Sequence, residues 1–359
     1  MWHTTGIAAG VVPAGGFVEP GLFHIENPAA KRRIHGLLEV SGLLEQLSLI
    51  RPREATEEEI LRIHGDKYIH NLKKMSDQGY GDAGEKAVVG PSSWPIACLA
   101  AGGCIVASDA IINGTIRNAY ALVRPAGHHA ERDRGRGFCL LSNGTITVEH
   151  LRTRHNLKRI AIVDWDAHHG NGAQQIYYTD PNVLTVSIHE ESNYPIEGGT
   201  IDKNGEGDGL GTNINIPLPP GSGHQTHLAA IEQVVCPSLK LFRPEMIIIS
   251  CGFDSCIFDP LARQMTMAET FRLMTRAIMK AADQLCDGRL LMIHEGGYAE
   301  FYTPFCGLAV MEELSGIKTD VEDPFAHHIN KSVQLLQPHQ ATVLEQAKKL
   351  LLNVPTHND

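Results

Sequence analysis

Short, predominantly apolar runs recur along the chain at residues 120–123, 160–163, 183–188, 246–250 and 290–293. A strand half-exposed to water alternates apolar and polar positions. Runs that do not alternate suit strands covered on both faces, as in a parallel sheet. Between and around these runs lie longer stretches whose apolar residues return every three or four positions. They predict helices over residues 29–47, 57–74, 95–112, 223–242, 267–286 and 332–352. Strands alternating with helices of this length predict an α/β fold with a mainly parallel central sheet. No repeat, low-complexity tract or long linker divides the 359 residues, so one catalytic-size domain over residues 1–359 is expected. Residues 6–21, rich in Gly and Pro, read as a surface loop.

Composition narrows the class. No apolar run is read as reaching the roughly 18 residues of a membrane span, and the N-terminus lacks the pattern of a signal peptide. A cytoplasmic protein without a membrane partner is therefore expected. The formal charge of −10 argues against a non-specific nucleic-acid binder and suits cationic substrates. Eight cysteines stand among apolar neighbours with no close CxxC pair, and read as buried free thiols. Nineteen histidines are many for this length, and where they fall is informative.

Each of the five apolar runs is followed by titratable residues and glycines: RPAGHH (124–129), DWDAHHGN (164–171), HEE (189–191), CGFD (251–254) and HEGGY (294–298). In open parallel sheets, ligands bind beyond the carboxyl ends of the strands. Five such segments at one sheet edge predict an active site. Asp164, Asp166 and His168 are spaced by two and project to one side of an extended segment. Two carboxylates and an imidazole so close together suit a divalent cation, although Asp residues at a strand end can also cap the next helix. Asp254 offers a third ligand beside Asp166 and His168, leaving a fourth position open as catalytic zinc sites do. His128 and His129, which alone would read as loop histidines, can pass protons near neutrality, with Asp164 and Asn171 placed to orient the rings. Tyr298, following two glycines, can either pack on its turn or donate a hydrogen bond to an oxyanion.

The motifs RPAGHHA (124–130), GFCLLSN (137–143), DWDAHHGNG (164–172), GFDSCIFDP (252–260) and HEGGY (294–298) resemble, in order and spacing, those of zinc-dependent histone deacetylases. LPPGSG (218–223), DPLAR (259–263) and PFCGLAVMEELSG (304–316) are similar to bacterial histone-deacetylase-like amidohydrolases of the class II branch. The resemblance runs from about Trp2 to past Gly316. It implies an arginase/deacetylase-like three-layer α/β fold with a sheet of about eight strands. It also implies a zinc-dependent amidohydrolase that removes acetyl or other short acyl groups from lysine ε-amines. Asp166, His168 and Asp254 would bind one zinc. His129 would be the base paired with His128, Asp164 would hold His128, and Tyr298 would polarise the carbonyl. Gly137, Phe138 and Tyr194 would line a narrow acyl-lysine channel. Potassium would bind at Asp164, Asp166, His168, Ser187 and Ile188, and a second potassium at Tyr177, Asp180, Val183 and Thr212. The expected partner is an acyl-lysine peptide or protein or a small acylated amine, and relatives suggest a homodimer or tetramer.

Three positions depart from the family pattern. Asn171 stands where class I members carry aspartate, which marks the class II branch. The short apolar strand that usually precedes Trp2-His3-Thr4 is missing. Ser142-Asn143-Gly144 replaces the commoner Asn-Asn pair. Other readings of the same machinery are an acetylpolyamine hydrolase, a silent metal-binding scaffold and a dinuclear manganese hydrolase. The complete set of motifs argues against the scaffold, and too few carboxylates argue against the dinuclear site. Polyamine-selective relatives carry a glutamate after the Asp-Pro that ends the fourth motif, GFDSCIFDP. Here Leu261 follows Asp259-Pro260, so lysine substrates are expected, unless Glu190 or Glu191 supplies the missing charge.

Overall fold

In the computed structural model of the chain, residues 25–357 are described; the loop expected over residues 6–21 and the segment around Trp2 lie outside them. Six strands form one sheet: β1 Asn118–Ala121, β2 Ile160–Asp164, β3 Val183–Glu190, β4 Asn213–Leu218, β5 Met246–Cys251 and β6 Leu290–His294. Their order is β1-β6-β5-β2-β3-β4, and every neighbouring pair is parallel.

The apolar runs are explained by burial on both sides. In β2, Ala161 and Val163 face one core while Ile160 and Ile162 face the other; in β5 the same split separates Ile247 and Ile249 from Met246 and Ile248. One core packs under α1 (Ala29–Val40), α7 (His224–Ala230), α8 (Cys236–Phe242), α9 (Ala268–Leu285), α10 (Thr303–Ser315) and α11 (Pro338–Leu350). The second packs under α2 (Glu57–Leu61), α3 (Asp66–Gln78), α4 (Ser93–Ile112), α5 (Asn143–His155) and α6 (Asn171–Tyr177). The result is the three-layer α/β architecture expected. Trp165, Phe242, Phe253 and Phe271 are fully buried in the first core, each contributing roughly 2 to 3 kcal/mol of transfer free energy.

Several elements differ from the sequence reading. The sheet holds six strands among the described residues rather than about eight, and two further pairings, Gly81–Asp82 with Val88–Val89 and Gly84–Glu85 with Gly135–Arg136, are only two residues long. Strand β1 lies two residues earlier than its apolar run because its ladder partner begins at Leu290, opposite Asn118. The helix expected over 57–74 is broken into α2 and α3. At the break, His64 turns aside to accept a hydrogen bond from Ser142 N at 3.0 Å, and Gly65 N donates to Arg132 O. The helix over 223–242 contains a π-helical turn, Ile231–Val235, just before Pro237, whose missing N–H interrupts the ordinary ladder.

The expectation that no apolar run is long enough to span a membrane is corrected: α4, with 20 residues, meets that criterion by length and composition. Its position accounts for its composition, since twelve of its residues are buried, packed against the second core. A helix enclosed nearly all round has no polar face to keep. All eight cysteines are free thiols and seven are buried.

Candidate active site

The carboxyl ends of β2, β3, β5 and β6, with the loop that follows β1, meet at one edge of the sheet. Asp164 closes β2, and its ladder partners are Ser187 of β3 and Ser250 of β5. Beyond it the chain turns sharply, so that Asp164 Oδ1 accepts from Asp166 N at 3.0 Å and Asp166 Oδ1 accepts from His168 N at 2.9 Å. Asp254 follows β5 and ties the two loops together by accepting from Ala167 N at 2.6 Å.

Asp166, His168 and Asp254 converge. His168 Nδ1 is 3.0 Å from both Asp166 Oδ1 and Asp254 Oδ2, and one donor atom from each residue lies within 4.8 Å of the others. Both aspartates are fully buried. Two glycines make room for them: a methyl group at Gly252 would overlap the Asp166 carboxylate, and one at Gly296 the Asp254 carboxylate. Burial, with Asp166 beside it, pushes the Asp254 carboxyl up to about 8. Two enclosed carboxylates and an imidazole in contact are the donor set of a divalent cation, whose charge offsets a desolvation cost the protein groups alone do not. The chemistry and spacing of the three donors fit a mononuclear zinc with an open position.

The two histidines of the β1 loop are held differently. His128 Nδ1 lies 2.9 Å from Asp164 Oδ2, and its Nε2 is 3.8 Å from Asp166 Oδ1. Burial works against its charge, but Asp166 and Asp164 outweigh burial and push the imidazole up to about 10. His129 Nδ1 is 2.7 Å from Asn171 Oδ1. An amide oxygen only accepts, so Nδ1 carries the proton and Nε2 presents a lone pair. Burial, and then the charge of His128, hold His129 well below the usual imidazole range. The ring centroids are 3.9 Å apart. One imidazole is poised protonated and its neighbour neutral, the separation of pKa values that marks an acid and a base.

Gly137 and Phe138 both have positive φ, 47° and 69°. A side chain at Gly137 would collide with the His129 ring and with Tyr194, so glycine there leaves the approach to the base open. Tyr194 meets His129 edge-on at 4.9 Å, and Phe138 meets Tyr298 edge-on at 6.1 Å. Leu261, half-buried, sits on the same loop as Asp259. Asp259 joins this rim to Tyr298, accepting from Leu261 N at 2.9 Å through one oxygen and from Tyr298 N at 2.7 Å through the other.

The structure therefore brings together His128, His129, Asp164, Asn171, Asp166, His168, Asp254, Gly137, Phe138, Tyr194 and Tyr298. Ser187 lies beside Asp164 and accepts from Gly170 N at 3.3 Å, while the Ile188 side chain points into the core. Tyr177, Asp180 and Thr212 also meet, since Asp180 N donates to Tyr177 O and Thr212 Oγ1 donates to Asp180 O, close to where Val183 begins β3.

Sequence reasoning gave no role to Glu295, Asp259 or Glu131. Glu295 is buried and accepts from Gly127 N at 2.7 Å and His128 N at 3.1 Å, so it fixes the loop that carries both histidines. Glu131 accepts from Asn171 Nδ2 at 2.8 Å, which sets the orientation of that amide. Their signal was their place inside the HEGGY, DP and GHHAE segments, where a charged residue among buried neighbours has a partner to hold.

A buried carboxylate–imidazole cluster and an orienting pair of histidines, at the carboxyl edge of a parallel sheet, define a hydrolase site. Residues 24–314 match the model of the histone deacetylase domain, and the chain belongs to the histone deacetylase family. It is similar to a histone deacetylase-like amidohydrolase of Pseudomonas aeruginosa, 43% identical over 343 residues, spanning 95% of this chain and 89% of the relative. A probable deacetylase of Archaeoglobus fulgidus is 36% identical over 84% of this chain and 85% of its own. The crystal structure of the HDA15 HD domain superposes with a TM-score of 0.84 at 30% identity, covering 94% of this chain and 90% of that one. The chain is thus an enzyme of the deacetylase/amidohydrolase kind.

Proposed function

We propose that this enzyme is a zinc-dependent deacylase that removes acetyl or another short acyl group from the ε-amine of lysine in a peptide or protein. The observation that carries the reading is the pairing of the Asp166–His168–Asp254 donor set with the uncharged His129 Nε2. Zinc bound by those three residues would polarise the acyl carbonyl and acidify a water molecule. His129 Nε2 takes the proton from the attacking water. His128, charged and held by Asp164, stabilises the developing negative charge, and the histidine pair returns a proton to the departing amine. Tyr298 donates its phenolic hydrogen to the oxyanion. Phe138 and Tyr194 flank the aliphatic stem, and Gly137 leaves space for it. The products are a short carboxylate and a free lysine amine. Potassium at the Asp164–Ser187 turn and at the Tyr177–Thr212 turn belongs to the same proposal, as does a cytoplasmic homo-oligomer.

The preference for lysine over acetylpolyamines is supported by the rim. Leu261 carries no charge, and Glu190 is fully enclosed and held by Arg263, which donates from Nε at 2.8 Å and Nη2 at 2.6 Å. Glu190 is therefore not free to meet a distal ammonium, and a buried cation without a partner is costly. The test is a substrate panel with metal control. The purified enzyme is stripped with a chelator, reloaded with one equivalent of zinc, and assayed on acetyl-lysine peptide, acetylputrescine and acetylspermidine. Turnover is lost on stripping, returns with zinc, and kcat/KM is highest for the peptide. Full turnover in the stripped enzyme overturns the zinc reading, and a tenfold polyamine advantage overturns the lysine reading.

A further inference from the structure

A second cluster of ligating side chains lies away from the active site. Asp109 of α4 and His150 and His155 of α5 present one donor atom each within 4.8 Å of the others. His150 Nε2 is 2.7 Å, and His155 Nε2 2.6 Å, from the same oxygen, Asp109 Oδ1. Helix α5 begins beside the catalytic loop, where Asn143 Nδ2 donates to Pro125 O. At 1.5 Å per residue, His155 is roughly 18 Å further along the axis. No step proposed above uses these residues.

The other nitrogen of His150 gives the cluster its meaning. His150 is buried, and its Nδ1 has no hydrogen-bond partner, although Glu59 Oε1 stands 3.3 Å away. If Nε2 carries the single proton and gives it to Asp109, the Nδ1 lone pair faces a carboxylate, which is repulsive; a second ring proton relieves this, and so does a cation. If a cation replaces that proton at Nε2, Nδ1 carries the hydrogen and turns it to Glu59. That is the carboxylate–histidine–metal arrangement found around bound metals. Glu59 is itself held in place to accept that hydrogen. Arg53 Nη1 and Nη2 donate to its two oxygens at 2.7 and 2.6 Å, and it accepts from Thr56 N at 2.8 Å. Leaving the imidazoles aside, the local charge is Arg53 positive against Asp109 and Glu59 negative, a net deficit of one that a divalent ion reverses.

We infer that Asp109, His150 and His155 form a second, structural site for a zinc-like divalent cation, oriented through Glu59. Two imidazoles and a carboxylate suit such a borderline ion. Asp109 and His155 are only partly covered, with side chains 32% and 18% exposed, which leaves a water-accessible fourth position. Ligand bonds of about 2.1 Å at tetrahedral angles set donors roughly 3.4 Å apart. The Asp109 carboxylate therefore withdraws by somewhat under an ångström on binding, a rotation its partial exposure permits. A bound ion would join α2, α4 and α5 over one face of the sheet.

The test is zinc stoichiometry by equilibrium dialysis of the enzyme carrying one equivalent, alongside its melting temperature. Wild type takes up a second equivalent and melts higher. Asp109→Asn and His155→Gln each keep the first equivalent and the deacylase rate, lose the second, and no longer respond in melting temperature. Using two partly exposed positions guards against a variant that fails to fold. A wild-type chain that stops at one equivalent overturns the site, as does a second equivalent that persists in both variants.

Discussion

Replacing Tyr298 by Phe removes one oxygen from a side chain whose position does not depend on it. The loop is held by Tyr298 N, which donates to Asp259 at 2.7 Å, and the ring is held edge-on against Phe138 at 6.1 Å; phenylalanine keeps both. The hydroxyl is therefore available for the substrate oxyanion. Burial, with Asp254 and Asp166 nearby, pushes the phenol well above its usual range, so it stays a protonated donor throughout the working pH range. Losing one such donor costs about 2.7 to 4 kcal/mol of transition-state stabilisation, or roughly a hundred- to a thousandfold in turnover. Because the bond strengthens as the oxyanion forms, kcat and kcat/KM fall together while KM stays nearly constant. The assay is steady-state deacylation of an acetyl-lysine peptide, with zinc content and melting temperature measured on the same samples; both of these stay at wild-type values. A Tyr298→Phe enzyme with kcat within threefold of wild type would refute the assignment. A loss confined to KM would also refute it, because it would make the hydroxyl a ground-state contact.

Two other perturbations probe the rim and the buried histidines. Leu261→Glu places a carboxylate where Asp259 already orders the loop through Leu261 N; the ratio of kcat/KM for acetylspermidine to that for acetyl-lysine peptide rises at least tenfold, about 1.4 kcal/mol, and an unchanged ratio shows that this position is not the gate. Burial lowers His64 and His227 from 6.5 to about 4, so the unfolded chain takes up their protons first as pH falls. Their contribution is intact above about pH 6.5 and is lost between there and pH 4, by up to roughly 3 kcal/mol each. Urea unfolding of the zinc-loaded enzyme at pH 7 and pH 5 shows the loss, and His227→Gln makes it smaller; an equal loss in the variant contradicts the linkage.

The strands that carry the chemistry were legible because a doubly covered strand must be apolar at every position, and residues 160–163 and 290–293 are. Strand β4 escaped notice because Asn213 and Asn215 interrupt its apolar positions. Both are buried, and their amides donate to Gln174 and to the carbonyls of Lys203 and Thr200, partners that only the folded chain supplies. Helix α5 was hidden for a different reason: Thr145-Ile146-Thr147-Val148 has the alternation and the β-branching of a strand. Packing overrides that propensity. Ile146, Val148 and Leu151 all enter the second core, and Thr147 Oγ1 donates back to Asn143 O at 2.8 Å as threonine does in helices. The residues that converge at the sheet edge were readable from motif order, but the parts played by Glu295 and Asp259 were not. Their places in the HEGGY and DP segments marked them as held, but their partners are backbone N–H groups of distant loops, which a sequence pattern does not identify.

The same carboxylates set the electrostatic problem that the site resolves. Asp164, Asp166, Asp254, Asp259 and Glu295 are all buried around three imidazoles, His128, His129 and His168. Burial pushes Asp254 up to about 8, Glu295 to about 7 and Asp259 to about 6. His128 and His168 both rise against burial, His128 drawn up by Asp166 and Asp164 and His168 by Asp254 and Asp166, yet two imidazolium charges do not balance five enclosed acids. Backbone N–H groups carry part of the load, since Gly127, His128, Gly296, Tyr298 and Ala167 all donate into the cluster. Those dipoles stabilise the carboxylates without adding positive charge. What remains is an excess of negative charge where Asp166, His168 and Asp254 meet, which a divalent ion held there would offset. Asp166 stands at the junction of the two groups, its Oδ1 3.0 Å from His168 Nδ1 and 3.8 Å from His128 Nε2, so a change at the proposed metal site is felt at the histidine pair through that carboxylate.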